Sequence, residues 1–130
     1  MNTIDNQKNE MYEKGLALFQ TLHGQHAGQQ LVDELQDICP DFGTMTIEWA
    51  MGGIMVRPGL DLLTREFLLI ASCTTLGHAA PQLEAHIEAA QKLGATKEQI
   101  IEVILQMLFY AGGVSTSNAL RVAKKVFERV

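Results

Sequence analysis

Residues 61–77, DLLTREFLLIASCTTLG, decide the fold. Asp61 stands where a helix N-cap belongs, with a carboxylate that can accept from the open N–H groups of a first turn. From Phe67 to Cys73 no residue carries a charge. A helix that is apolar all round is buried all round. Gly77-His78 then stops it, glycine being the residue that adopts the left-handed turn after a helix. The pattern predicts a helix from about 62 to 76.

The chain on either side reads the same way. Pro81 falls in the first turn of a following helix, where its missing N–H costs nothing. That helix runs to Leu93 and stops at Gly94. Thr96 with Gln99 three residues later forms a capping box. It opens a helix from Lys97 to about Ala111, with a second heavily apolar body from Ile100 to Tyr110. Gly112-Gly113 ends it, and Ser115 or Ser117 caps a last helix that runs to Arg129. The last turns hold Arg121, Lys124, Lys125 and Arg129, which suit the negative end of the helix dipole. Upstream, positions 12, 15, 16, 19 and 22 give helical spacing over residues 8–23, ended by His23-Gly24. A weaker helix over about 29–38 breaks at Cys39-Pro40, because the residue before proline is pushed out of the α region. A third, over 41–51 with Phe42, Met45 and Trp49 on one stripe, dissolves at Gly52-Gly53. Ile54 to Gly59 forms a turn and loop. Polar/apolar alternation and the Asn-Gly and Asp-Gly hairpin signals are absent. The expectation is one all-α domain over residues 1–130, with six or seven helices and no linker.

Composition narrows the classes. Of 130 residues, 47% are hydrophobic and 19% charged, against about 25% charged in an average soluble domain. That excludes disorder. It leaves too little room to hide both apolar helices inside one chain, so a homo-oligomer in which those faces meet is expected. The net charge of -5 comes from residues 1–60, where eight acids face three bases. Residues 61–130 hold seven of each. No basic block offers a nucleic acid a footing. The apolar runs are far short of the ~20 residues that span a bilayer, and the polar start is unlike a signal peptide. A soluble cytoplasmic protein, with neither membrane nor nucleic-acid partner, is expected. Cys39 and Cys73 form no CxxC and read as two small buried residues. The methionines at 11, 45, 51, 55 and 107 read as core fillers, and Trp49 as core or interface.

Chemistry can sit at few places. His23 and His26 lie in a polar, glycine-rich turn without a third ligand, so no metal site is expected. His78 marks a helix junction. His86 shares a face with Leu83, Ile87 and Ala90 and therefore points inward. It is either a satisfied core histidine or a general acid/base in an apolar pocket. Glu66 opens the apolar helix, where burial beside a histidine would make a proton-relay pair. The bland alternative is an acid favoured by the helix N-terminus. Arg57 precedes Pro58-Gly59 and can hold a carboxylate with its planar fork, or be a plain loop charge. No phosphate loop, GxSxG elbow or HExxH occurs.

The order of segments is similar to that of the carboxymuconolactone decarboxylase family, a relative of the alkyl hydroperoxidase D family. The residues that carry the resemblance are Ile54-Met55-Val56-Arg57-Pro58-Gly59-Leu60-Asp61, Thr64-Arg65-Glu66 and Leu76-Gly77-His78-Ala79-Ala80-Pro81-Gln82-Leu83-Glu84-Ala85-His86. Leu93-Gly94-Ala95-Thr96, Tyr110-Ala111-Gly112-Gly113 and Asn118-Ala119 follow. It covers about residues 10–128. The resemblance implies an all-α fold in a ring-like homo-oligomer, a hexamer built as a trimer of dimers. It implies a decarboxylase that uses no cofactor and acts on a small carboxylated, lactone-type metabolite of aromatic catabolism. His86 and Glu66 would be its catalytic pair and Arg57 its substrate-binding residue. It also implies two alternatives: peroxiredoxin-type thiol chemistry, with Cys73 the redox residue, or a non-catalytic binder of small acids. The decarboxylase branch carries an acid where this chain has Gly53. The peroxidase branch carries cysteines four and seven residues before the histidine, where this chain has Gln82 and Ala79.

Overall fold

The computed structural model describes residues 3–129, and side chains from 10 to 129. Among them every regular element is helical: α1 (Thr3–His23), α2 (Ala27–Glu34), α3 (Pro40–Met45), a π-helical continuation (Thr46–Ile54), α4 (Leu62–Leu76), α5 (Ala80–Lys92), α6 (Lys97–Gln106) and α7 (Leu108–Phe127). The chain divides into two compact units, Met1–Gly59 and Leu60–Val130.

In the first unit α1 lies against the π segment. Two glycines make the approach possible. A Cβ on Gly15 would stand 2.0 Å from the Ile47 carbonyl oxygen, and one on Gly52 would stand 2.1 Å from that of Met11. Gly52-Gly53 therefore does not end the helix, as its punctuation suggested; the helix widens into π turns, and the bare backbone serves a close helix contact instead. The second helix is shorter than its pattern, ending at Glu34. Cys39 is exposed rather than buried, because it sits in the turn ahead of Pro40. Trp49 (67% exposed) and Met45 (61%) also face outward, so neither fills a core.

The second unit packs α4 to α7 around Ile70, Leu83, Ile87, Ile100, Ile104 and Val126, with Ala90, Ala119 and Ala123 between them. Each fully buried isoleucine contributes about 1.5–3 kcal/mol relative to exposure. The alanines let helices come close. The caps follow the sequence. Thr64 N–H donates to Asp61 Oδ1 at 2.7 Å, Gly77 takes φ 78° after α4, and the Thr96–Gln99 capping box is complete at 3.0 Å in both directions. Arg129 pairs with Glu84 and, at 2.7 Å, with Glu88, joining the end of α7 to α5. Hydrogen bonding to Arg129 holds the Glu84 carboxyl below its ordinary pKa.

α6 is shorter than the predicted 97–111. Its last turn tightens through Met107 N–H to the Ile104 oxygen, 3.1 Å, and α7 starts at Leu108. Gly112 breaks the helix locally with φ 83°, a conformation that glycine adopts freely. Helical hydrogen bonding resumes past the kink, so neither Ser115 nor Ser117 acts as an N-cap. The Ser117 hydroxyl instead donates to the Val114 oxygen at 3.0 Å. Beside the kink, Phe109 and Tyr110 are exposed, Tyr110 almost completely, with Leu108 and Val114. Among the described residues no helix is long and apolar enough to cross a membrane.

Candidate active site

Helical register places the chemistry. On α4, Glu66, Ile70, Cys73 and Thr74 recur at three- and four-residue spacing and form one face. On α5, Leu83, His86, Ile87 and Ala90 do the same. Ile70, Leu83, Ile87 and Ala90 belong to one core cluster, so these faces are turned into the unit. Glu66 and His86 are thereby brought together from twenty residues apart. His86 Nδ1–H donates to Glu66 Oε2 at 2.8 Å.

The two partners differ in environment. The Glu66 side chain is completely buried, whereas the imidazole keeps 20% of its surface exposed. Glu66 Oε2 is held by the ring, and Oε1 has no hydrogen-bond partner among the described residues. Leaving a buried acceptor unmet costs about 1–3 kcal/mol, which a purely structural residue would not be expected to sustain. The bond at Nδ1 fixes the tautomer and orientation of the ring. Nε2 is then the ring nitrogen whose protonation can change during a reaction. A buried carboxyl orienting a partly exposed imidazole is the arrangement used to move a proton to or from a substrate.

Close by, the same α4 and α5 faces and α7 enclose a small open hollow of about 30 Å³, walled by Cys73, Gly77, Ala79, Leu83, Ser115 and Asn118 among others. Leu83 precedes His86 by three residues, less than one turn of α5. Cys73 is half-buried. Burial raises the pKa of its thiol, and the negative charge of Glu66 raises it further. A wider open groove between α6 and α7, about 370 Å³, contains none of the predicted site residues. Lys97 spans part of it, its Nζ lying 5.8 Å from the Phe127 ring centroid.

Of the predicted residues, Glu66 and His86 meet between α4 and α5, and Cys73 alone of the three lines the hollow. Arg57 belongs to the first unit, in the loop after the π segment, where its N–H donates to the Ile54 oxygen at 3.1 Å. Two residues were missed as site candidates: Ser115, read as a helix cap, and Asn118, noted only as part of a segment pattern. Both line the hollow.

The chain matches the model of the carboxymuconolactone decarboxylase family over residues 40–125. It is 30% identical over 119 residues to 4-carboxymuconolactone decarboxylase from Acinetobacter baylyi, covering 92% of this chain and 88% of that protein. A 15.0 kDa protein from the nqo9-nqo10 intergenic region of Paracoccus denitrificans is 34% identical over 94 residues, 72% of this chain and 70% of its own length. Nitrosuccinic acid decarboxylase from Metarhizium robertsii is 34% identical over 79 residues, 60% of this chain and 54% of the fungal protein.

Proposed function

The chain belongs to the carboxymuconolactone decarboxylase family, and we propose that it is a carboxy-lyase in which His86 delivers a proton to the carbon that loses carbon dioxide. The single observation that carries this reading is the 2.8 Å bond between His86 Nδ1 and a completely buried Glu66. It supplies an oriented proton carrier at the edge of an apolar interior. Glu66 acts through the ring, as a positioning residue.

The step balances as follows. The bond between the carboxylate carbon and its neighbour breaks, and carbon dioxide leaves without the bonding electrons. The pair moves into an acceptor group on the substrate. Imidazolium Nε2–H then gives its proton to carbon, and the ring takes another from water. A lyase that uses no electron-sink cofactor needs a substrate that provides its own acceptor. Two of the relatives are named for a lactone and for a nitro acid, and both groups can take an electron pair. The substrate class is therefore a small acid with such a group beside the departing carboxylate. Arg57 is assigned to substrate carboxylate binding on the family resemblance.

A thiol peroxidase would have to use Cys73, whose raised pKa keeps it a thiol and so a poor nucleophile. The exposed Leu108, Phe109, Tyr110 and Val114 favour a self-associated protein, since monomers rarely expose such a contiguous apolar patch. We propose that a second copy covers them, in the ring-like hexamer that the resemblance implies.

The test is carbon dioxide release from a panel that includes 4-carboxymuconolactone and nitrosuccinate, with the wild-type protein and His86→Gln. Loss of an acid/base residue lowers turnover about 10²–10⁴-fold. A His86→Gln protein that is folded and fully active would end the proposal.

A further inference from the structure

We propose that the helical ridge of Phe42, Met45 and Trp49 on one copy of the chain seats in the groove between α6 and α7 of another, in a head-to-tail contact guided by charge. The inference rests on the reading that the protein self-associates, and it adds a second surface to the apolar patch at 108–114.

Each surface stands on its own observations. Phe42, Met45 and Trp49 recur at three- and four-residue spacing along α3 and the π segment, which places them on one face. All three are exposed, and so is Ile38 in the turn before α3. Large apolar side chains set out in a row make a contiguous patch, which marks a contact site more often than a bare surface does. Asp37, Asp41 and Glu48 stand beside these residues in the sequence. None of the three acids has a cation within ion-pair reach among the described residues. The ridge also belongs to residues 1–60, which carry the whole net charge of -5.

The groove is the converse. It holds about 370 Å³, within the range of clefts that take large apolar groups. Ile101, Leu120, Ala123 and Phe127 give it an apolar lining, and Lys97 and Lys124 bring two cations to it. Lys97 lies over the Phe127 ring. Neither lysine has a carboxylate within ion-pair reach among the described residues. The neighbouring Lys125 differs, being engaged with Glu84. Against the two cations the lining sets the acid Glu128.

Shape and sign therefore match. Anchors at i, i+3 and i+7 laid into an apolar groove are a recurring way to hold a helix. Acids beside the ridge meet lysines beside the groove, which fixes the direction of docking. Both surfaces are open in the single chain, and each copy offers one of each. The contact is heterologous: a copy gives its ridge to one neighbour and its groove to another, and the series closes where the rotation between copies closes.

The test uses two double charge reversals. One carries Lys97→Glu and Lys124→Glu in the groove, the other Asp41→Lys and Glu48→Lys beside the ridge. Sedimentation velocity reads the mass. The wild type should sediment as an assembly that loosens as salt rises. Each variant alone should be a smaller species, its dissociation constant raised about 100-fold or more because like charges now face each other. An equimolar mixture of the two should assemble where neither variant does, since every ridge then finds a groove of opposite sign. Misfolding of a variant would not be repaired by mixing. Wild-type mass in either variant, or a mixture as dissociated as its parts, would overturn the docking while leaving self-association through the patch at 108–114 in place. A wild type that is monomeric at every concentration would overturn both.

Discussion

Replacing Glu66 with methionine should make the protein more stable and less active. The side chain is completely buried, one oxygen bonded to His86 and the other without a partner among the described residues. Methionine has the same length and fills the space with apolar atoms. Removing the unmet acceptor recovers about 1–3 kcal/mol, while losing the bond to the ring costs back about 1 kcal/mol. The ring is partly exposed, so its Nδ1–H can turn to water and is not stranded. The net gain is about 0–2 kcal/mol, which in a domain of this size raises Tm by up to roughly 10 °C. Thermal melts followed by circular dichroism, at one fixed protein concentration, read the stability. Carbon dioxide release reads the activity, which should fall because the ring is no longer held. A Glu66→Met protein that melts several degrees below the wild type would refute the reasoning. It would mean that the second oxygen of Glu66 is satisfied in solution and that the carboxyl belongs to the scaffold.

Three other outcomes follow from particular contacts. Thr116 is buried, and its hydroxyl has no partner among the described residues, so Thr116→Val should raise stability by about 1 kcal/mol, measured by urea unfolding. Gly52→Ala puts a carbon about 2 Å from the Met11 oxygen and must push α1 off the π segment. A loss of about 2–4 kcal/mol is expected, and a wild-type melting curve would contradict that close approach. Cys39 is exposed, and Cys73 is half-buried with a raised pKa. Only the thiolate is alkylated, and a raised pKa moves its appearance to higher pH. Iodoacetamide at pH 8 should therefore label Cys39 first, read by peptide mass spectrometry. Labelling of Cys73 should rise only above the ordinary thiol range.

What could be read from the sequence was local. Asp61, Gly77 and the Thr96–Gln99 box act over three or four residues, and all three stand as read. The inward face of α5, and with it His86, was visible as periodicity, whereas Glu66 was visible only as the acid that opens an apolar helix. Their bond was not, because it joins positions twenty apart and depends on how two helices cross. The same dependence hid the meaning of Gly52-Gly53. A glycine pair that ends a helix and one that admits a neighbouring backbone look alike until the neighbour is in place.

The most direct test of proton delivery by His86 is decarboxylation in D₂O of an acid whose reacting carbon becomes a CH₂ group. The account predicts one deuterium on that carbon, placed on a single face, at a rate that collapses in His86→Gln. Deuterium spread over both faces by the wild-type enzyme, or single-face labelling at the wild-type rate by His86→Gln, would contradict it.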